Sequence, residues 1–213
     1  MLHNIAPLPL ICELMDQLTR VSRHCLALFT KLDIHWGYNN ICIKDRDQWK
    51  AAFKINCGLF EPMVMFFGLT NAPATFQTMM NDIFCDLINE GYITIYMDDI
   101  LIHTLNEYKL HCRVVNNVLQ VLADHNLFLK PQKCQFKVTS VKYLGVIITT
   151  NSIAMDPIKV AGIHAWKVPR TLKEVQLFLG FCNFYCMYIC SYSIIMAPLN
   201  ALIALCMKTG RFI

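Results

Sequence analysis

Two adjacent carboxylates, Asp98 and Asp99, interrupt a stretch from Gly91 to His103 that is otherwise apolar, β-branched and aromatic, Gly-Tyr-Ile-Thr-Ile-Tyr-Met before them and Ile-Leu-Ile-His after. Taking a carboxylate out of water costs several kcal/mol unless a partner compensates, and neighbouring carboxylates also repel each other. A divalent cation would relieve both penalties. A solvated Asp-Asp turn on a surface hairpin is the plain alternative for a bare pair. A further acid in an apolar setting, Asp33, stands near the end of the run Ala27–Ile34, just ahead of Trp36-Gly37-Tyr38.

The elements that must position these acids follow from hydrophobic period. Tyr92–Tyr96 reads as a strand and Ile100–His103 as its return, which places Met97-Asp98-Asp99 in the tight turn of a hairpin. Ala27–Ile34 reads as a second strand carrying Asp33. Upstream, apolar positions from Leu10 to Leu18 have helical spacing after Pro7 and Pro9. Ile41–Ile43 and Trp49–Ile55 read as a hairpin joined by the charged turn Lys44–Gln48, followed by an extended run from Leu59 to Phe67. Gly68-Leu69-Thr70-Asn71-Ala72-Pro73 opens a helix whose apolar face, Phe76 to Ile88, runs to a stop at Gly91. His111 to His125 predicts a second amphipathic helix. Short strands are expected at Leu127–Leu129, Cys134–Phe136 and Val141–Ile148, the last bent at Tyr143-Leu144-Gly145. From Asp156 the chain turns helical, with Asp156-Pro157 opening one helix to about Trp166 and Thr171-Leu172-Lys173-Glu174 at capping-box spacing opening another.

Composition narrows the function classes. The chain has 213 residues, a net charge of +4 and 55% hydrophobic residues. That length suits one compact domain with a small appended one. Its charge permits a nucleic-acid partner without supplying a strong basic footprint. The 11 cysteines read as free thiols, because the N-terminus lacks the pattern of a signal peptide and no Cys-x-x-Cys occurs. An intracellular, non-secreted chain is expected. Cys182, Cys186 and Cys190 share a helical face, yet the outer two would lie about 12 Å apart, too far for one ion. No Asp, Glu, Lys or Arg falls between Glu174 and Lys208, but Asn183, Ser191, Ser193, Pro198 and Asn200 interrupt that stretch and argue against a membrane span.

As a set, Lys31-Leu32-Asp33-Ile34-His35-Trp36-Gly37-Tyr38, Phe67–Gln77, Tyr96-Met97-Asp98-Asp99, Lys142-Tyr143-Leu144-Gly145, Phe178–Tyr185 and Ala197-Pro198-Leu199 resemble the reverse transcriptase of gypsy-like long-terminal-repeat retrotransposons. The resemblance covers nearly the whole chain. It implies an α+β fold: a polymerase palm of antiparallel sheet with two helices on one face and a residual fingers hairpin (residues 1–150), then a mostly helical partial thumb (151–213). It implies two magnesium ions, or manganese in their place, on Asp33 and Asp98 with Asp99 supporting them. Tyr38 would lie under the incoming sugar, with Phe67, Gly68 and Gln77 also at the nucleotide. Tyr96, Met97 and the primer-grip turn Tyr143-Leu144-Gly145 would meet the primer. Substrates would be deoxynucleoside triphosphates and an RNA or DNA template with its primer, and other parts of a retroelement polyprotein would be partners. Each feature has a plainer reading: Tyr38 as a core tyrosine, Phe67–Gln77 as an ordinary capped helix, Leu144-Gly145 as a bulge.

The departures from the family pattern run in one direction. His35, Cys57, Cys85 and Cys186 stand where the family often carries arginine, a change that C-to-T mutation at CpG produces and that marks a decaying copy. The chain also begins just before the palm, so most of the fingers is expected to be missing, and by itself the chain is expected not to extend a primer. Three readings follow: an RNA-directed DNA polymerase domain, a catalytically inactive relic with residual nucleic-acid binding through Lys44, Arg46, Lys50 and Lys54, and a small membrane protein.

Overall fold

Strands and amphipathic helices interleave along the first part of the chain, and helices alone fill the last part. The computed structural model describes residues 8–22, 27–105 and 107–209, so the N-terminal stretch read for a leader lies outside the described residues. Two compact units divide at Ile153 and Ala154. The first holds α1 (Ile11–Ser22), β1 (Ala27–Asp33), β2 (Phe53–Ile55), β3 (Gly58–Phe60), α2 (Ala72–Ile83), α3 (Cys85–Asn89), β4 (Ile93–Tyr96), β5 (Asp99–Leu105), α4 (Tyr108–Asp124), β6 (Gln135–Val138), β7 (Ser140–Tyr143) and β8 (Val146–Thr149). At the boundary lies β9 (Ile153–Met155), and the second unit carries α5 (Pro157–His164), α6 (Leu172–Phe184) and α7 (Tyr192–Thr209). The class is α+β.

The central sheet is antiparallel in the order β4-β5-β1-β6. Its register sorts the side chains by face, since strand residues alternate with period two. Leu32 and Ile34, with Ile93 and Ile95 and with Ile100 and Ile102, join Phe76 and Met80 of α2 and Val114, Val118 and Leu122 of α4 in the main core. These are the two expected helices, and both lie on that side of the sheet. The buried residues Leu14, Met15, Leu18, Phe29, Leu101, Val141, Tyr143 and Ile148 fall outside this cluster. They come from α1, the alternate positions of β1 and β5, and the β7–β8 hairpin, and α1 touches both β5 and β8.

Several local expectations need correcting. Ile41–Ile43 is no strand, and Cys42 makes only an isolated bridge to Val64. Gln48–Ala51 is a 3-10 turn, and the hairpin forms instead between Phe53–Ile55 and Gly58–Phe60 around Asn56-Cys57. The local turn and the Phe53–Phe60 ring stack, 6.1 Å between centroids, set that register. The helix from Ala72 breaks at Phe84 and restarts as α3 before Gly91, whose φ of +75° ends it in a left-handed conformation. Leu127–Leu129 contributes only a bridge from Leu129 to Ile34. The Leu144-Gly145 bend proves to be a two-residue hairpin turn joining β7 and β8, with φ of 47° and 82°, the left-handed pair of a type I′ turn. α5 stops at His164, two residues before the expected end.

In the second unit, Asp156 accepts a hydrogen bond from the Ile158 amide at 3.0 Å and caps α5. Thr171 Oγ1 accepts from the Glu174 amide at 3.3 Å, while the Glu174 carboxylate reaches back to the Arg170 amide at 2.7 Å. This is a capping box displaced by one residue at its second bond. Trp166 packs on Phe178 and Phe181 at 5.5 and 5.4 Å between ring centroids. Among the described residues no helix is long and apolar enough to cross a membrane.

A buried polar network ties α4 to the sheet. His111 sits between the hydroxyls of Thr30, 2.8 Å from Nε2, and Thr104, 2.9 Å from Nδ1, and on the other face of the sheet His103 Nε2 lies 3.1 Å from Thr94 Oγ1 as a separate pair. Burial, reinforced by the neighbouring His111, pulls the His103 pKa down from 6.5 to about 4. The folded chain therefore binds fewer protons than the unfolded chain between those values. Stability from His103 is full above pH 6.5 and is lost as the pH falls toward 4. Unfolding by urea at pH 5 and pH 8 should show a loss of about 2 kcal/mol from this group, absent in His103→Gln. An equal pH dependence in the variant would remove His103 as its source.

Candidate active site

Asp33 and Asp99 are direct cross-strand partners in the β1–β5 ladder. Tyr96 pairs with Asp99 in the β4–β5 ladder, so the turn is Met97-Asp98 alone and Asp99 is the first residue of β5. The expectation that both acids occupy the hairpin tip is therefore corrected: Asp98 is at the tip, and Asp99 is held in the sheet opposite Asp33. Two bonds lock the tip. The Ile34 amide donates to the Asp98 carbonyl at 2.9 Å, and the Met97 amide, at a φ of 52°, donates to Gln77 Oε1 at 2.7 Å.

Like charges directly opposite on a sheet destabilise it. Here lysines offset them. Lys31 Nζ lies 3.0 Å from Asp99, and Lys130 and Lys133 lie 3.5 and 3.4 Å from the Asp33 carboxylate oxygens. Asp33 Oδ1 is buried and accepts no hydrogen bond. Asp98 has a solvent-exposed edge, yet desolvation of its carboxyl pushes its pKa above the ordinary value, and the Asp99 and Asp33 charges push it further. A cation placed among these acids would reverse that push. The donor set is all carboxylate oxygen, which suits a hard divalent ion, although among the described residues no three acidic, histidine or cysteine side chains form a ready-made cluster. The residues fit a metal that arrives with other oxygen ligands.

On one side of the turn stands Tyr38. Its hydroxyl points at Met97 Sδ, 3.5 Å away, and its ring meets Phe67 and Phe76 edge-on at 4.9 and 5.5 Å between centroids. Gly37 permits this, since a Cβ there would come within 2.7 Å of the Phe76 ring. Burial, then the charges of Asp98 and Tyr96, raise the Tyr38 pKa. Phe67 is exposed, and Gly68 has a φ of +104° with no atom within 4 Å of where a Cβ would be. Its backbone conformation, rather than a close approach within the chain, requires glycine.

Gln77 was expected at the nucleotide. It is buried instead, and besides accepting from Met97 it donates to Asn81 Oδ1 at 2.9 Å and to the Ile95 carbonyl at 3.3 Å. Its carboxamide is spent on holding the hairpin. Tyr143, expected at the primer, is fully buried, and its hydroxyl donates weakly to the backbone carbonyls of Thr94 and Asp99 at 3.4 and 3.5 Å. Leu144 and Gly145 do line an open cavity of about 660 Å³ together with Lys31, Asp33, Asp99 and Lys142. Tyr96 and Met97 are partly buried, at the end of β4 and in the turn.

Sequence reasoning missed the lysines. Lys31 was findable, because two positions from Asp33 in a strand means the same face. Lys130 and Lys133 carried no such signal. The bridge from Leu129 to Ile34 and the bond from the Lys130 amide to the Asp33 carbonyl, 2.9 Å, bring that segment alongside Asp33.

Comparison with known proteins identifies the family and the fold. The family model described as reverse transcriptase (RNA-dependent DNA polymerase) matches residues 4–148. The Tf2-3 and Tf2-7 transposon polyproteins of Schizosaccharomyces pombe are each 36% identical over 200 residues, which is 94% of this chain and 14% of the polyprotein. The chain thus spans a small part of the relatives it matches. Among solved structures, a foamy viral protease-reverse transcriptase in complex with double-stranded DNA aligns with a TM-score of 0.80 at 25% identity, over 90% of this chain and 33% of that one. The same viral protein in complex with an RNA/DNA hybrid aligns at 0.76 and 24%, over 88% and 25%, a likeness of fold. With a family model covering well over half its length, the chain belongs to the reverse transcriptase family.

Proposed function

We propose that the chain is the polymerase palm and partial thumb of a retrotransposon reverse transcriptase, adding deoxynucleotides to a primer 3′-hydroxyl along an RNA or DNA template. The observation that carries this reading is the pairing of Asp33 with Asp99 at the base of a turn that holds Asp98, acids from two distant sequence segments placed on one sheet end. Asp33 and Asp98, with Asp99 beside them, would hold two magnesium ions, which supply activation of the 3′-hydroxyl and stabilisation of charge on the triphosphate. The protein's own part is positioning. Gln77 and the Ile34 amide fix the turn, so the Asp98 carboxylate needs little reorganisation when charge develops near it. Tyr38, wedged between Phe67, Phe76 and Met97, presents a ring that would collide with a ribose 2′-hydroxyl. Leu144 and Gly145, on the rim of the cavity beside Asp99, would seat the primer end, within a polyprotein context like that of the relatives.

One observation favours a second reading, a catalytically inactive relic. Cys57, Cys85 and Cys186 are exposed thiols, and His35 stacks on Trp36 at 4.6 Å. The family often has arginine at these positions, so cations that would grip phosphate are absent, and such contacts supply most non-specific affinity. Primer extension with magnesium and all four triphosphates, run on a longer form that also carries the fingers, separates the two. The polymerase reading expects incorporation that Asp98→Asn lowers by about a thousandfold with primer-template binding nearly unchanged. Binding without incorporation in the unsubstituted chain favours the relic.

A different outcome is expected for Tyr38→Ala. Discrimination against ribonucleotides should fall about ten- to a hundredfold while the deoxynucleotide rate drops only moderately. Unchanged sugar selectivity, measured by competing the two triphosphates, would rule out the steric role.

A further inference from the structure

The three acids of the site are not equivalent in their surroundings. Lys31 and Asp99 lie diagonally across the β1–β5 ladder, Lys31 opposite Leu101 and Asp99 opposite Asp33, a spacing that a long side chain spans. Their ion pair is the shortest in the site at 3.0 Å, and both side chains are mostly covered, at 19% and 25% exposure. Lys31 is hemmed in further by the Tyr143 ring, whose centroid is 6.0 Å from Nζ, and Tyr143 in turn donates to the Asp99 backbone carbonyl. Asp99 is thus held by its carboxylate from one side and by its backbone from the other. The lysines on Asp33 differ. They sit farther off, at 3.5 and 3.4 Å, on side chains exposed at 30% and 63%, so although Asp33 itself is only 9% exposed its cations are held more loosely than Lys31. No lysine pairs with the carboxylate of Asp98 among the ion pairs of the described residues.

We infer that Lys31 is a positioning residue: by holding the Asp99 carboxylate it keeps that acid from joining Asp33 and Asp98 around the divalent cation that those two are read above to take. The inference rests on the metal-binding reading of the site given above. Its physical content is a difference in how easily each carboxylate is released. Asp33 exchanges two longer, more exposed lysine contacts for the metal, whereas freeing Asp99 would strand a largely covered ammonium against the Tyr143 ring. The negative charge of Asp99 still contributes at longer range, and its ion pair fixes the strand end from which Asp98 projects.

The test is direct binding of Mn2+ to the full chain, read from the paramagnetic resonance signal of the free ion, with circular dichroism confirming that each variant is folded. Asp33→Asn and Asp98→Asn should each weaken binding about tenfold or more, and Asp99→Asn by less than about threefold. In a Lys31→Met background, where Asp99 is released, the same Asp99→Asn change should cost about tenfold. Lys31→Arg, which preserves the ion pair, should return Asp99→Asn to its small effect, and Lys31→Gln replaces the methionine variant if that one does not fold. An Asp99→Asn loss as large as that of Asp98→Asn in the unsubstituted chain, or an equal cost with and without Lys31, overturns the inference while leaving a metal site in place. Mn2+ binding that neither Asp33→Asn nor Asp98→Asn weakens overturns the metal-binding reading itself.

Discussion

Two carboxylates facing each other across adjacent strands are the constraint around which the first unit is built. The register that puts Asp33 opposite Asp99 also puts Leu32 opposite Ile100 in the core. A slip of one residue would separate the acids and expose the isoleucines together. Burial of the apolar face therefore fixes the placement of charge on the other face. The repulsion this creates is offset by lysines drawn from two segments, Lys31 within β1 and the Lys130–Lys133 turn before β6. Because both opposite partners are acidic, substituting any of these cations leaves a carboxylate less compensated and touches the whole sheet end.

The opposite end of the same strands is fixed by different means. Thr30, Thr94, His103, Thr104 and His111 are all buried and all hydrogen-bonded: His111, Thr30 and Thr104 form a network joining α4, β1 and β5, and Thr94 with His103 forms a separate pair joining β4 and β5 on the other face. Thr30 also accepts from the Lys137 amide at 3.1 Å, so the edge strand β6 belongs to the same network. A buried network that is fully satisfied rigidifies a core, while a half-satisfied one weakens it. The sheet is clamped by neutral polar groups at one end, leaving the acid end free to carry charge that a ligand can alter.

Much of this was legible in the sequence, and the parts that were not share a physical cause. The hairpin around Asp98, the two covering helices and the strand carrying Asp33 came from strong periods over buried residues. The segment from Ile41 to Phe67 misled because Trp49, Phe53, Leu59, Met63 and Phe67 are exposed, so apolar character there does not report burial. The Leu144 turn was read as a bend because no residue type announces a left-handed leucine; its φ of 47° follows from closing β7 onto β8. Gln77 was assigned to the nucleotide through the family resemblance alone. Its position one residue after Phe76 of the core puts it over the hairpin, where three hydrogen bonds engage both its N–H donors and its carbonyl oxygen.

The packed core and the exposed positions where the family often carries arginine are separate sets of residues, and this decides what the resemblance can carry. Core positions such as Phe29, Phe76, Ile100 and Tyr143 are fully buried, and large-to-small changes there cost several kcal/mol. Cys57, Cys85 and Cys186 are exposed, and surface substitutions of this kind usually alter stability by less than about 0.5 kcal/mol. Unselected change therefore accumulates first at such exposed positions and last where side chains pack. A chain can keep its palm register, its acids and its family likeness after its grip on nucleic acid has weakened. Agreement of fold speaks to descent, and only the charged surface and the acids at the sheet end speak to catalysis.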